Sequence, residues 1–515
     1  MSGEIFSSNL ASLRKVNPAL ADMLAGVVSD DTYSGSILTR SGHPVPCYGD
    51  GTPANSRYDP ETEADRTIAD LGDASFVLFL GIAGAFQIRA FLQKNPGAYC
   101  AAAEKSLPAL RSLLESVALD DILSSSRVYL LKDCLPDTLM AQLPARYLPA
   151  VHGSFATCSF RSWTSRFFSS SVQDAISSVL AAVGRDYSVQ AHFGRIWFSN
   201  FLKNMHEMRG RFVTELPGIS RDRSAIIAAA GPSLEKDLQE IVANRDRYCV
   251  FSTDTACGTL AGYGIVPDYY VTIDPQHYSS WHLFRPPEPE TVFLADCVSN
   301  PAAVQRALSY GARVILFAGG HPLSRMAANC SPLPVLDTAS GTVTGAARNA
   351  AIALGYDNPR VIGADFAYTR GKPYARNTYL SELFDSFSQR TASAESAFTA
   401  LMFRSAVERT HDAGGWTYHT EVMRSYKQAM NAAIQTIRWT DDTFSAFPVD
   451  EFLGRLTRGL KEILSNDTGH TDWYTAMLPF FAWFQRHHAI HPGENGRKKA
   501  IQLALDMIAG YTVAS

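Results

Sequence analysis

The chain lacks the features that mark several familiar protein classes. None of its eight cysteines (Cys47, Cys100, Cys134, Cys158, Cys249, Cys257, Cys297 and Cys330) lies at Cys-x-x-Cys spacing from another. Several sit in apolar stretches, so buried free thiols are expected rather than disulfides, metal ligands or a catalytic cysteine. Charge of one sign is also missing: the net charge is −4 and 19% of residues are charged, which excludes a broad basic field for nucleic acid. The longest apolar run near the start, Phe76-Val-Leu-Phe-Leu-Gly-Ile-Ala-Gly-Ala-Phe86, falls well short of the roughly 20 residues that span a bilayer. Met1-Ser-Gly-Glu-Ile-Phe-Ser-Ser-Asn9 does not have the basic-then-apolar order of a secretory signal, so a cytoplasmic protein with no membrane span is expected.

What is present is size and alternation. A chain of 515 residues with 46% apolar content suggests two to four domains. Residues 1–70, rich in Gly, Pro, Ser and Asp, read as an accessory segment with a few short strands or a hairpin around Thr32 to Val45. Residues 71–169 read as a Rossmann-like domain: the run from Ser75 ends in Gly81-Ile-Ala-Gly84, Glu104 follows at the spacing of a ribose-binding acid, and Val128-Tyr-Leu-Leu131 supplies another strand. The glycine series lacks its third member, so scaffolding is the first reading of this domain and cofactor binding the alternative. Residues 170–220 read as a helical connector, in which Phe193, Trp197, Phe201 and Asn204 recur every four or three residues, the aromatics as core anchors between two domains.

The richest segment begins at Ala225-Ile-Ile-Ala-Ala-Ala-Gly-Pro-Ser-Leu-Glu235, where an apolar run meets a Gly-Pro-Ser turn and then a helix. Such a turn presents unpaired N–H groups to a phosphate. Four further breaks follow apolar segments: Val250-Phe-Ser-Thr-Asp-Thr-Ala256, Tyr269-Tyr-Val-Thr-Ile-Asp274, Val335-Leu-Asp-Thr-Ala-Ser-Gly-Thr-Val-Thr-Gly345 and Arg360-Val-Ile-Gly-Ala-Asp-Phe-Ala-Tyr368. The spacing predicts an open α/β sheet over 221–377, with Asp254, Asp274, Asp365, Ser233, Ser340 and Thr342 gathered at its carboxyl edge. Helix capping is the alternative use for each. Helices continue over 378–437, and 438–515 reads as a helical C-terminal domain. His487, His488 and His491 read as loop residues beside Pro492, without the fixed geometry that a metal needs.

Gly231-Pro-Ser-Leu, Thr253-Asp254, Pro267-Asp-Tyr-Tyr-Val-Thr-Ile-Asp274, Ala339-Ser-Gly-Thr342 and Gly363-Ala-Asp-Phe-Ala-Tyr368 together resemble the motility-associated factor family of bacterial flagellin glycosyltransferases, also described as MptE-like. The central domain of that family is similar to bacterial sialyltransferases, and the resemblance spans most of residues 75–430. It implies transfer of a pseudaminic- or legionaminic-type nonulosonic acid from a CMP-activated donor to Ser or Thr of flagellin, with no tightly bound cofactor and no metal. By matching motifs, Gly231, Pro232, Ser233, Thr253, Asp254, Ser340, Gly341, Thr342, Asp365 and Tyr368 would hold the donor. His419 and His277 are the candidate bases, with Asp274 beside them. The same Gly-Pro-Ser and Asp pattern resembles archaeal 6-hydroxymethylpterin diphosphokinases, in which Asp254, Asp274 and Asp365 would position Mg2+. A noncatalytic flagellin-binding accessory protein is the third reading.

Overall fold

A computed structural model describes residues 2–218, 222–284, 288–369, 371–412, 415–431, 437–465, 472–488 and 494–511. The fold is mixed α/β, as expected, and the chain divides into two units with separate cores: Met1–His192 with Phe481–Lys499, and Phe193–Phe480 with Ala500–Ser515. The eight cysteines are free, and all but Cys330 are buried.

In the first unit a hairpin of β1 (Tyr33–Leu38) and β2 (Pro44–Tyr48) precedes four parallel strands, β3 (Phe76–Leu80), β4 (Tyr99–Ala103), β5 (Val128–Leu130) and β6 (Phe155–Ser159), in the order β5-β4-β3-β6. All five residues of β3 are buried, the mark of a parallel strand covered on both faces. The opening residues differ from their sequence reading, since two helices, Ser2–Val16 and Pro18–Gly26, precede the hairpin. Asn17 ends one and caps the next by accepting from the Leu20 N–H, with Pro18 at the first helical position. Buried Asn9 ties them to the core: its amide donates to the Leu114 and Val117 carbonyls and accepts from the Leu119 N–H.

Glu104 takes the scaffold role rather than the ribose alternative. Its carboxylate is 0% exposed and accepts from Tyr33 Oη at 3.0 Å, the Ile82 N–H at 2.7 Å and Trp163 Nε1 at 3.1 Å. Burial pushes the carboxyl up while those bonds pull it down. The acid that spacing offered to a ribose is a packing hub.

The second unit is built on six parallel strands, β7 (Ser224–Ala228), β8 (Tyr248–Thr253), β9 (Tyr269–Thr272), β10 (Val292–Asp296), β11 (Arg313–Phe317) and β12 (Arg360–Ile362), in the order β11-β10-β9-β8-β7-β12. From β7 the chain steps outward to β11 and then returns to the other side of β7. That reversal makes β7 and β12 the switch point of the sheet. One face packs on the Val343–Ala353 helix, Trp439 and Phe444, the other on Leu234, Leu238, Ile241 and Leu260.

The second half of the Ser170–Glu207 helix belongs to this unit and anchors the carboxyl edge. Phe198 and Phe201 are buried against Phe480 and Phe452. Asn200 donates to the Pro275 and Val298 carbonyls and Asn204 to those of Cys297 and Ser299, so one helix fixes the turns after β9 and β10. Phe193 stacks on Trp197, which meets the His321 ring edge-on.

Residues 378–437 hold helices Tyr379–Phe387, Ala394–Met402 and Glu421–Asn431, but also strands absent from the sequence reading. With β13 (Tyr368–Thr369), β14 (Glu408–Asp412) and β15 (Gly415–His419) form a small antiparallel sheet in the order β13-β15-β14. Glu408-Arg-Thr-His-Asp412 is polar throughout and so carries no period-two apolar signal. His487 and His488 end the Leu478–His488 helix rather than lying in a loop; His491 is outside the described residues. Among the described residues no helix is long and apolar enough to cross a membrane.

Candidate functional site

The switch point brings the turns after β7 and β12 into register. The Ala229 N–H donates to the Ile362 carbonyl and the Gly231 N–H to that of Gly363 at 2.8 Å. A Cβ at Gly231 would collide with the Asp365 carboxylate and come within 2.5 Å of the Gly363 carbonyl; one at Gly363, whose φ is +67°, would collide with the Ala229 carbonyl. Glycine is therefore required on both sides of the crossing. The expectation of free N–H groups at Gly-Pro-Ser is corrected here: Ser233 donates its N–H to Asp365 Oδ2 at 2.9 Å, and Leu234 donates to the Gly231 carbonyl. Pro232–Lys236 is a short 3-10 turn, and Asp365 occupies the position expected for a phosphate oxygen.

Around this junction lies an open pocket of about 670 Å3, lined by Ser233, Gly363, Phe366, Arg348, Arg360 and Lys427 among others. Arg360 pairs with Asp237 and Glu240, and Arg348 donates to the Met430 carbonyl. Exposed Lys427 adds a third cation.

The next two strand tips carry a carboxylate each. Asp254, 3% exposed after β8, accepts from the Thr255 N–H and hydroxyl and, through Oδ2, from the Thr272 hydroxyl at 3.0 Å. Thr253 donates its hydroxyl to the Ala228 carbonyl. Asp274, half-buried after β9, accepts from the Gln276 N–H at 2.8 Å. Burial lifts its carboxyl to about 6, the Gln276 N–H opposing and the Asp254 charge adding to the rise. Asp296, which sequence reasoning missed, ends β10 beside Gly319, where any Cβ would strike its carboxylate. Burial raises Asp296 to about 7 against the Val298 N–H, the Arg325 charge and the Gly319 N–H.

The candidate bases separate. His277 is exposed at the start of the His277–Leu283 3-10 turn. His419, on β15, is bonded at both ring nitrogens: Nδ1 donates to the Phe366 carbonyl at 3.2 Å, which leaves Nε2 to accept from the Thr410 or Thr417 hydroxyl at 3.2 and 3.3 Å. Phe366 has a φ of +46°, so His419 braces a strained turn. Tyr368, 8% exposed, lies opposite Tyr418 in the same sheet.

The sequence reading also missed His282. It is buried edge-on to Tyr379 at 4.3 Å, and burial lowers its pKa although the Asp254 charge opposes that shift. Its Nδ1 and the Tyr270 hydroxyl have no hydrogen-bond partner among the described residues. Burial also raises Tyr374, and raises Tyr379 to about 12, with Asp254 among the neighbouring charges acting on both. The aromatic density of Tyr278-Ser-Ser-Trp-His282 just after Asp274 was the available signal.

Ser340, Gly341 and Thr342 lead into the Val343–Ala353 helix. Thr342 caps it by accepting from the Gly345 N–H at 3.0 Å, the bland use of such a residue. Gly341 has a φ of +68° and faces Tyr426, while Ser340 Oγ fills the space that a side chain at position 345 would need. Val335 bridges Ala318 in parallel, which brings this turn to the carboxyl edge as well.

A family model described as 6-hydroxymethylpterin diphosphokinase MptE-like matches residues 199–371. Two uncharacterized proteins of Treponema pallidum (strain Nichols) are similar to this chain. One is 37% identical over 193 residues, covering 37% of this chain and 67% of the relative. The other is 34% identical over 175 residues, covering 33% of this chain and 82% of the relative. A solved structure of a Maf glycosyltransferase from Magnetospirillum magneticum AMB-1 aligns with a TM-score of 0.55 and 15% identity over 99% of this chain and 91% of that one, a likeness of fold. By the family match and the 34% relative that it covers over most of its length, the chain belongs to the MptE-like family.

Proposed function

We propose that the protein is a glycosyltransferase that moves a nonulosonic acid of pseudaminic or legionaminic type from its CMP-activated form to a Ser or Thr hydroxyl of flagellin. The observation that carries this reading is the switch point itself: a basic pocket adjoins the Gly231–Ser233 and Gly363–Asp365 turns, and Asp254 and Asp274 stand on the neighbouring strand tips. The fold likeness to a Maf glycosyltransferase across nearly the whole chain supports it. Arg348 and Lys427 would neutralise the charge that grows on the CMP phosphate as it departs. Tyr368, on β13 after the Gly363–Asp365 turn, would donate its hydroxyl to the phosphate. Ser233, Ser340 and Gly341 would hold the nucleotide through side chains and backbone carbonyls, with Thr253, Asp254 and Thr342 fixing the turns.

In the transfer, the bond from the anomeric carbon to phosphate oxygen breaks, CMP leaves with the electron pair, and the acceptor oxygen bonds to that carbon. Asp274, lifted to about 6, is ionised at neutral pH and takes the acceptor proton. His277 lies exposed three residues further on, and His419 serves the site by holding the Phe366 turn. The test is incubation with a panel of CMP-nonulosonic acids and flagellin, read by the mass of intact flagellin. A mass gain equal to one sugar residue is expected; no gain with any donor would end the reading.

A second reading is favoured by the family match to 6-hydroxymethylpterin diphosphokinases over residues 199–371. It requires Mg2+ among Asp254, Asp274 and Asp365. The donor set fits poorly: Asp365 is committed to the Ser233 N–H, Asp254 to Thr255 and Thr272, and no group of three such side chains among the described residues is arranged to hold a metal. Magnesium-dependent phosphorylation of a hydroxymethylpterin by ATP, with flagellin unmodified, would reverse the order.

A further inference from the structure

The first unit holds a cavity unrelated to the transfer site. It has a volume of about 190 Å3 and lies between the Ser2–Val16 and Pro18–Gly26 helices, the segment 114–123 and the edge strand β5. Its wall is apolar, with Leu13, Ile82, Leu114, Leu119, Ile122 and Leu123 all buried. Protein interiors close voids larger than a water molecule by side-chain packing, and this one exceeds the roughly 150 Å3 apolar cavity that takes up benzene. The wall is also held in place: Ile82 sits in a turn whose Ala83 and Ala85 have φ of +46° and +58°, a strained conformation fixed by the Ile82 N–H bond to Glu104.

The rim is different in kind. Arg146 is exposed, lines the cavity and lays its guanidinium 5.3 Å from the centre of the Tyr129 ring, and it makes no ion pair among the described residues. Asn17, Ser126 and Tyr129 supply the other polar groups of the lining, and Asn17 already spends its side-chain oxygen on the Leu20 N–H. A largely apolar wall, partly open, with one cation at the mouth selects shape and charge together.

We propose that this cavity is a binding site for a small apolar carboxylate, an aromatic or branched aliphatic acid, with its hydrocarbon among the leucines and its carboxylate on Arg146. The hydrocarbon displaces poorly held water from the wall, and the guanidinium forms a charge-assisted pair at the rim.

Calorimetric titration of the full chain with benzoate, benzyl alcohol and benzylammonium tests the assignment. Saturable one-to-one benzoate binding is expected, with benzyl alcohol about tenfold weaker and benzylammonium without effect. Ala19→Phe, at an exposed position on the rim, abolishes benzoate binding; Arg146→Gln weakens benzoate about tenfold and leaves benzyl alcohol unchanged. Both positions are exposed, and circular dichroism confirms that each variant is folded. Absence of saturable benzoate binding at millimolar concentration, equal binding of all three probes, or an unchanged response in folded Arg146→Gln would overturn the proposal.

Discussion

Two aspartates at adjacent strand tips behave differently with pH. Asp274 is lifted to about 6, so a base there gains its charge as pH rises through that value. Transfer kcat rises with pH below about 6 and levels off above it, and Asp274→Asn lowers kcat by about 10²- to 10⁴-fold with KM little changed, measured on flagellin across a pH series. Asp296, raised to about 7 by burial, keeps its proton in the folded chain where the unfolded chain has lost it. Its contribution to stability therefore falls as pH rises from about 4 to about 7, and Asp296→Asn flattens that slope in urea unfolding. The sequence made Asp254, Asp274 and Asp365 legible because each follows an apolar run. It concealed Asp296 at the end of an equally clear run, Val292-Phe-Leu-Ala-Asp296, and it marked His282 only by the aromatic density around it, since burial beside Tyr379 is a tertiary fact.

The crossing of the β7 and β12 turns permits no side chain. Gly231→Ala drives a methyl group into the Asp365 carboxylate, so the variant loses about 1 to 3 kcal/mol of stability in urea unfolding and binds CMP at least about tenfold more weakly by calorimetry. In the first unit, Glu104→Ala strands the Tyr33 hydroxyl, the Ile82 N–H and the Trp163 indole, and costs about 3 kcal/mol or more without changing CMP affinity. Here spacing left a ribose ligand and a scaffold residue as alternatives with the scaffold ahead, because spacing records where an acid falls and not what surrounds it. The elements best read from sequence are the buried parallel strands with continuous apolar runs, β3, β7, β8 and β9. Those least readable are the helices within residues 1–30, hidden by Ser and Gly content, and the polar β14–β15 hairpin.

For the whole molecule, hydrogen exchange with and without CMP distinguishes the units. Protection is expected in peptides covering 231–237, 254–274, 340–348 and 363–368, with residues 76–104 unchanged; protection centred on 76–104 would transfer nucleotide binding to the other sheet. The sequence reading divides the chain at 70, 169, 220 and 437, where composition shifts. The cores divide it at 192, 480 and 499, and composition carries no trace of a chain that leaves a core and re-enters it. That return has a consequence for synthesis. The stretch after Phe480 is translated long after the sheet it joins, and its Gln485 donates to the Ala150 carbonyl and faces Tyr187. The earliest-made core must therefore wait, part-finished, for a stretch made long after it, and a stop codon ahead of Phe481 would damage the beginning of the protein.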